Sequence, residues 1–158
     1  LARFDDWNLA RRRKYAAMYD AAFTGLKGIK KLPLDTPERR NSYWWYPMLI
    51  DLSALDCDAP VILKELSAAK IPCYGIQWPE AYEEAAYKDN IGFGSVNFPF
   101  ASKEYTDPKS VDYKNVLCPH AKGLRAQTVC LFLHPSWEEV HINRCIDTFK
   151  AVLAKHVK

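Results

Sequence analysis

The sequence contains no apolar run approaching the ~18 residues that a membrane span needs, so no membrane-crossing helix is expected. It also lacks internal repeats and low-complexity tracts, which excludes solenoid and disordered architectures. No CxxC pair occurs among its five cysteines, Cys57, Cys73, Cys118, Cys130 and Cys145. An odd number at irregular spacing, mostly in apolar stretches, reads as reduced core thiols of a cytoplasmic protein rather than a disulfide framework. Charge of one sign is scarce as well. Twenty-two Lys and Arg against 19 Asp and Glu leave a net +3 spread along the chain. Neither a nucleic-acid nor an anionic-membrane partner is expected from that balance. The first 19 residues have no apolar stretch of the signal-peptide kind. The chain begins with Leu1 and not Met, as expected of an internal start point.

What is present fits a globular domain. A chain of 158 residues, 49% hydrophobic and 26% charged, can bury one real core. Leu1, Phe4, Tyr15, Met18, Ala22 and Leu26 recur at roughly helical spacing, which predicts a long helix over residues 3–24 stopped by Gly25 and Gly28. Within it, Arg11-Arg12-Arg13-Lys14 reads as a solvated or domain-facing flank. Residues 31–41 form a polar connector. The aromatic, β-prone run 42–50 predicts a central strand in which Pro47 implies an edge or a bulge. Asp58 and Pro60 cap a helix over 59–70 that buries Ile62, Leu63 and Leu66. A strand at 71–77 follows.

A long aromatic loop spans 78–115, and Cys118-Pro119 opens a short helix to about Ala126. Thr128–Leu133 is the clearest strand. Ser136 and Glu139 read as a capping box for a last helix with Ile142, Cys145, Ile146, Phe149, Val152 and Leu153 on one face. The order predicts an α+β fold with a small antiparallel or mixed three-stranded sheet covered by helices.

Catalytic chemistry is thinly represented. Cys118, His120, Cys130 and His134 match no common zinc spacing, and Cys130 and His134 on one strand would stand roughly 13 Å apart at ~3.3 Å per residue. No metal site is expected. No nucleophile elbow or cysteine-protease signature occurs. Gly92-Phe93-Gly94-Ser95 is not followed by a helix and reads as a turn rather than a phosphate loop. The pairs Asp5-Asp6, Glu83-Glu84 and Glu138-Glu139 are sequence neighbours that point apart on a helix, and read as solvated surface. The cluster Tyr43-Trp44-Trp45-Tyr46 has two readings, core and ligand or domain contact.

Several ordered motifs resemble one family. They are Leu1-Ala2-Arg3-Phe4 through Asn8, Arg11-Arg12, Ala16 and Tyr19; Ser42 to Pro47; Ile71-Pro72-Cys73-Tyr74-Gly75 with Pro79-Glu80-Ala81-Tyr82; Cys118-Pro119-His120-Ala121-Lys122; and Leu133-His134-Pro135. In this order they resemble the C-terminal part of the DegT/DnrJ/EryC1/StrS family of pyridoxal-phosphate-dependent aminotransferases. The chain departs from that pattern at Trp44 and near Ile76, where many members carry His, and at Lys122, where Glu is usual.

The resemblance implies the small C-terminal domain of a fold-type I aminotransferase, with residues 1–25 as the helix entering it and 26–158 as its body. It implies a parent that is a cytoplasmic homodimer, uses pyridoxal phosphate and moves an amino group from glutamate or glutamine onto a keto-sugar or cyclitol ketone. The Schiff-base lysine, the acid facing the pyridine nitrogen and the phosphate site would lie in an N-terminal large domain absent from this sequence. No catalytic residue, and no cofactor, is then expected in this chain alone. Trp44, Tyr46, Gln77, Tyr82 and His134 are the expected substrate-side contacts, each with a structural alternative as core aromatic, loop amide or satisfied histidine. The other functional reading is a non-catalytic binding or regulatory module of the same family.

Overall fold

A computed structural model describes residues 3–95, 97–100 and 113–158. The chain divides into two compact units, one of Leu1–Gly75 with Leu124–Lys158 and one of Ile76–Gly123. Among the described residues no helix is long and apolar enough to cross a membrane.

The larger unit is α+β. A π-helical turn over Phe4–Leu9 runs into α1 (Ala10–Phe23), and β1 (Ile29–Lys31) follows. Next come β2 (Tyr46–Ile50), α2 (Ala59–Ala68) and β3 (Cys73–Tyr74). In the smaller unit a 3-10 turn (Ala81–Glu83) precedes the short α3 (Ala85–Lys88). Then α4 (Pro119–Gln127), β4 (Thr128–Leu131) and α5 (Glu139–His156) complete the chain. The sheet has four strands in the order β1-β2-β4-β3, and every pairing is antiparallel. The strand beyond the three expected is β1, whose three residues are too few and too basic to give a period-2 signal.

Strand β2 alternates as a half-covered strand should, with Tyr46, Met48 and Ile50 buried between the exposed Pro47 and half-buried Leu49. Its inward residues meet Leu131 and Val129 of β4 across the ladder. α1, α2 and α5 supply the rest of that core, with Tyr19, Phe23, Ile62, Leu66 and Phe149 fully buried. Each such side chain contributes about 1.5–3 kcal/mol of transfer free energy. β1 pairs with β2 only at Leu49 and Ile50, so Pro47 lies where β2 has a neighbour on one side. A proline is tolerated at such a place.

Three expectations shift. The run 42–45 is not strand: β2 starts at Tyr46, and Tyr43 takes a left-handed φ of 52° that no strand permits. The buried stripe of α1 is Arg12, Tyr15, Ala16, Tyr19 and Phe23, while Phe4 is exposed and Leu1 lies outside the described residues. The tyrosines win that face because their hydroxyls reach backbone acceptors: Tyr19 donates to the Phe132 carbonyl at 2.9 Å and Tyr15 to that of Trp137. The expected capping box also differs. Glu138 is the N-cap, its N–H donates to His141 Nδ1 at 3.1 Å, and Glu139 instead pairs with Lys14. As expected, Asp58 caps α2 through the Val61 N–H, and α5 buries the six residues named above. Of the expected strand 71–77 only Cys73–Tyr74 is strand, and Leu63 is half-buried. The expected loop 78–115, part of which lies outside the described residues, holds the 3-10 turn and α3.

Candidate substrate-facing site

Arg12 organises the first candidate surface. It is 8% exposed, and its guanidinium donates to the carbonyls of Tyr43 (3.0 Å), Trp44 (3.2 Å) and Leu133 (3.1 Å), and to Asn8 Oδ1 (2.7 Å). Burial lowers its pKa from the ordinary value, but the group stays charged. These bonds hold the turn at Tyr43 against its unfavourable φ. From the other side Tyr43 donates its hydroxyl to Asp35 Oδ1 at 3.0 Å, and the Asn41 backbone N–H donates to the same atom at 2.8 Å. The Asn41 N–H, helped by that hydroxyl, keeps the Asp35 carboxyl below the usual range. Burial pushes the Tyr43 phenol up to about 12. Thus clamped, the turn buries Tyr43 and leaves Trp44 outside, 72% exposed, with the Arg12 guanidinium 5.6 Å from its ring centre.

On the sheet face opposite the buried Tyr46, Met48 and Ile50 lies an aromatic ribbon. Trp45 meets Tyr74 edge-on at 4.2 Å and Phe132 at 4.7 Å; Phe132 meets Trp137 at 5.2 Å. Register explains it, because β3 sets Tyr74 opposite Cys130 while Trp45 and Phe132 extend the outward alternation of β2 and β4. A pocket of about 300 Å³ opens here, bounded by Ser42, Trp44, Trp45, Pro47 and Tyr74. His134 stacks on Phe132 at 5.8 Å. Its Nδ1 accepts the Ser136 N–H (3.2 Å) and contacts the Ser136 hydroxyl (2.6 Å). An Nδ1 that accepts from an amide leaves the proton of the neutral ring on Nε2, which is then a donor.

The smaller unit carries a second concavity of about 580 Å³, lined by Pro79, Tyr82, Glu83, Lys88, Leu117 and Lys122 among others. The Tyr82 hydroxyl accepts the Cys118 N–H at 3.4 Å, and Lys122 Nζ pairs with Glu83 Oε1 at 2.8 Å. The bond to Glu83 raises the Lys122 pKa. Phe93 and Phe98 exchange backbone hydrogen bonds, so Gly92–Ser95 belongs to a hairpin turn, closed with Gly94 at φ 65°.

The expected contacts are therefore dispersed. Trp44 and His134 are available on the larger unit, and Tyr82 lines the pocket of the smaller one. Gln77 is exposed in the smaller unit. Tyr46 is fully buried and donates its hydroxyl to Asp20 Oδ1 at 2.6 Å, which makes it a core residue. Sequence reasoning missed Trp45, Tyr74 and Phe132 as one surface. It also set Glu83 aside as solvated, although the charge reversal at Lys122 was a signal that an acid should stand nearby.

The profile of the DegT/DnrJ/EryC1/StrS aminotransferase family matches residues 1–110. The chain belongs to this family. Its fold is similar to that of solved aminotransferases. TlmJ of Streptoalloteichus hindustanus has a TM-score of 0.69 at 19% identity, over 98% of this chain and 34% of that one. The putative sugar aminotransferase Spr1654 of Streptococcus pneumoniae has 0.69 at 22%, over 98% and 33%. Helicobacter pylori PseC, an aminotransferase of pseudoaminic acid biosynthesis, has 0.67 at 13%, over 94% and 33%. This chain thus spans about a third of the length of the solved structures it matches. No curated protein matches the sequence.

Spr1654 has been solved in PLP and PMP forms. Among the lysines of the smaller unit's concavity, Lys122 is paired with Glu83, and a carboxylate partner favours the ammonium, whereas an imine needs the free amine.

Proposed function

We propose that this chain is the small C-terminal domain of a pyridoxal-phosphate-dependent aminotransferase that transfers an amino group from glutamate or glutamine to a keto-sugar or cyclitol ketone. In this reading residues 1–25 enter the domain and 26–158 form it. The Schiff-base lysine belongs to a large domain that precedes it, and the parent works as a cytoplasmic homodimer. The chain alone is inactive. The observation that carries the proposal is the family match over residues 1–110, joined to a fold that covers nearly all of this chain but a third of each solved aminotransferase.

The chain's own residues would shape the substrate side of the cleft. A sugar or cyclitol ring has an apolar C–H face suited to the exposed ring of Trp44. The Nε2–H of His134 can donate to a hydroxyl or carbonyl oxygen, and the aromatic ribbon would keep water from the reacting carbon. Pyridoxal phosphate, when bound by the parent, supplies the electron sink.

The test compares two proteins. The chain alone, mixed with pyridoxal phosphate, is expected to give no imine absorbance and no borohydride-trapped lysine. The parent, loaded with cofactor, is expected to convert to the amine form with glutamate or glutamine. In the parent, Trp44→Ala and His134→Ala should each raise the keto-substrate KM about tenfold, the equivalent of one lost interaction of ~1.4 kcal/mol. Transamination by the chain alone would overturn the proposal. A parent that binds nucleotide sugars without transferring nitrogen would favour the binding-module reading.

A further inference from the structure

Three metal-ligand types converge where the end of α5 meets the loop after β2. Asp56, Cys57 and His156 each present one ligand atom, and all three lie within 4.8 Å of one another. His156 Nδ1 is 2.8 Å from Asp56 Oδ1, while its Nε2 is 2.7 Å from Glu65 Oε1. The backbone fixes the arrangement independently. Leu55 and Val157 form an antiparallel bridge, the Asp56 N–H donates to the His156 carbonyl at 2.9 Å, and the Lys158 N–H donates to that of Ala54 at 3.0 Å.

We propose that Asp56, Cys57 and His156 bind a divalent transition ion of the zinc type, with Glu65 as the carboxylate that orients the histidine. Ligand lengths of ~2.0–2.3 Å about a tetrahedral centre require donor atoms roughly 3.3–3.7 Å apart. The three ligand atoms, within 4.8 Å of one another, need to draw in by roughly 1–1.5 Å at most to reach it. A thiolate, an imidazole and a carboxylate are the donor set that suits zinc, and a fourth position is left for water. The Nε2–H···Glu65 bond is the outer partner that metal-bound histidines usually have, and it selects Nδ1 as the ligating atom.

Charge favours the same occupant. Asp56 and Glu65 flank the two nitrogens of the His156 ring, and Asp56 stands beside the Cys57 thiol. Coordination by a thiolate and a neutral imidazole releases whatever protons those groups carry, and a dication offsets the charge of the adjacent carboxylates. Sequence spacing could not show the site, because Asp56 and His156 are 100 residues apart.

The test is a Co²⁺ titration of the reduced chain. The expected result is saturation at one equivalent, with the visible bands of tetrahedral cobalt and a thiolate-to-cobalt charge-transfer band. Cys57→Ser should abolish the charge-transfer band and, like His156→Gln and Glu65→Gln, weaken binding by about tenfold or more. Cys118→Ser should change nothing, and Zn²⁺ should displace the cobalt and shield Cys57 from iodoacetamide. A pale octahedral spectrum would overturn the proposal. So would a charge-transfer band that persists in Cys57→Ser or disappears in Cys118→Ser.

Discussion

Arg12 shows how one side chain can carry several structural duties. Three carbonyls from two distant segments converge on a guanidinium that presents its donors in a fixed fork. Lysine has a single ammonium and cannot reach the same set. Arg12→Ala should therefore cost about 3 kcal/mol or more, since it strands buried acceptors, and Arg12→Lys should recover little of it in urea denaturation. Tyr46 is a second case. Burial raises the Asp20 pKa above its ordinary 3.8, and the Tyr46 hydroxyl opposes that rise. A carboxyl whose folded pKa is raised contributes most to stability below the unfolded value, and the contribution fades as pH climbs through the folded one. Tyr46→Phe removes the donor that the ionised form needs. Its cost should be small near pH 4 and about 1.5–3 kcal/mol at pH 7, measured by denaturant unfolding at the two pH values. The thiols make a third case: burial pushes Cys130 up to about 11, whereas Cys118 is exposed. Only roughly one part in a thousand of Cys130 is thiolate at pH 8. Alkylation of the native chain should mark Cys118 first and Cys130 only after unfolding, as read by peptide mapping.

At the scale of elements, legibility followed periodicity. α5 and α2 are amphipathic with ordinary apolar residues, so their buried faces were readable from spacing alone. α1 was readable as a helix but not in its orientation, because an arginine and two tyrosines occupy the inward stripe and become apolar-compatible only once their polar atoms meet carbonyls in other elements. The same holds for the aromatic run. Tyr43 leaves strand geometry because Arg12 and Asp35, distant in sequence, stabilise a turn there. Of the candidate site, Trp44 and His134 were legible as individual residues, while the Trp45–Tyr74–Phe132 surface depends on strand register. Gly28 ends the α1–β1 connection at φ 93°, and a Cβ there would lie 2.9 Å from Leu55 Cδ2. Gly28→Ala should cost about 1–3 kcal/mol, most of it backbone strain, visible as a lower thermal midpoint.

Across the whole molecule, β2 and β4 are partners while Ile76–Gly123 forms its own compact unit between β3 and β4. The sheet therefore closes without help from that unit's interior. Replacing 76–123 with a short Gly/Ser linker should leave a cooperatively unfolding α+β unit; loss of cooperativity would show the two to be energetically inseparable. The bonds at Arg12 bear on movement as well. Because they fasten α1 to the turn at Tyr43–Trp44 and to the chain beyond β4, the helix cannot slide or roll without breaking several of them together. A displacement imposed on the π-helical segment ahead of it would travel along α1 as along a stiff rod. Trp44 would then swing with the rod, so that a pull at one end of this unit arrives as a change of pose at its exposed indole.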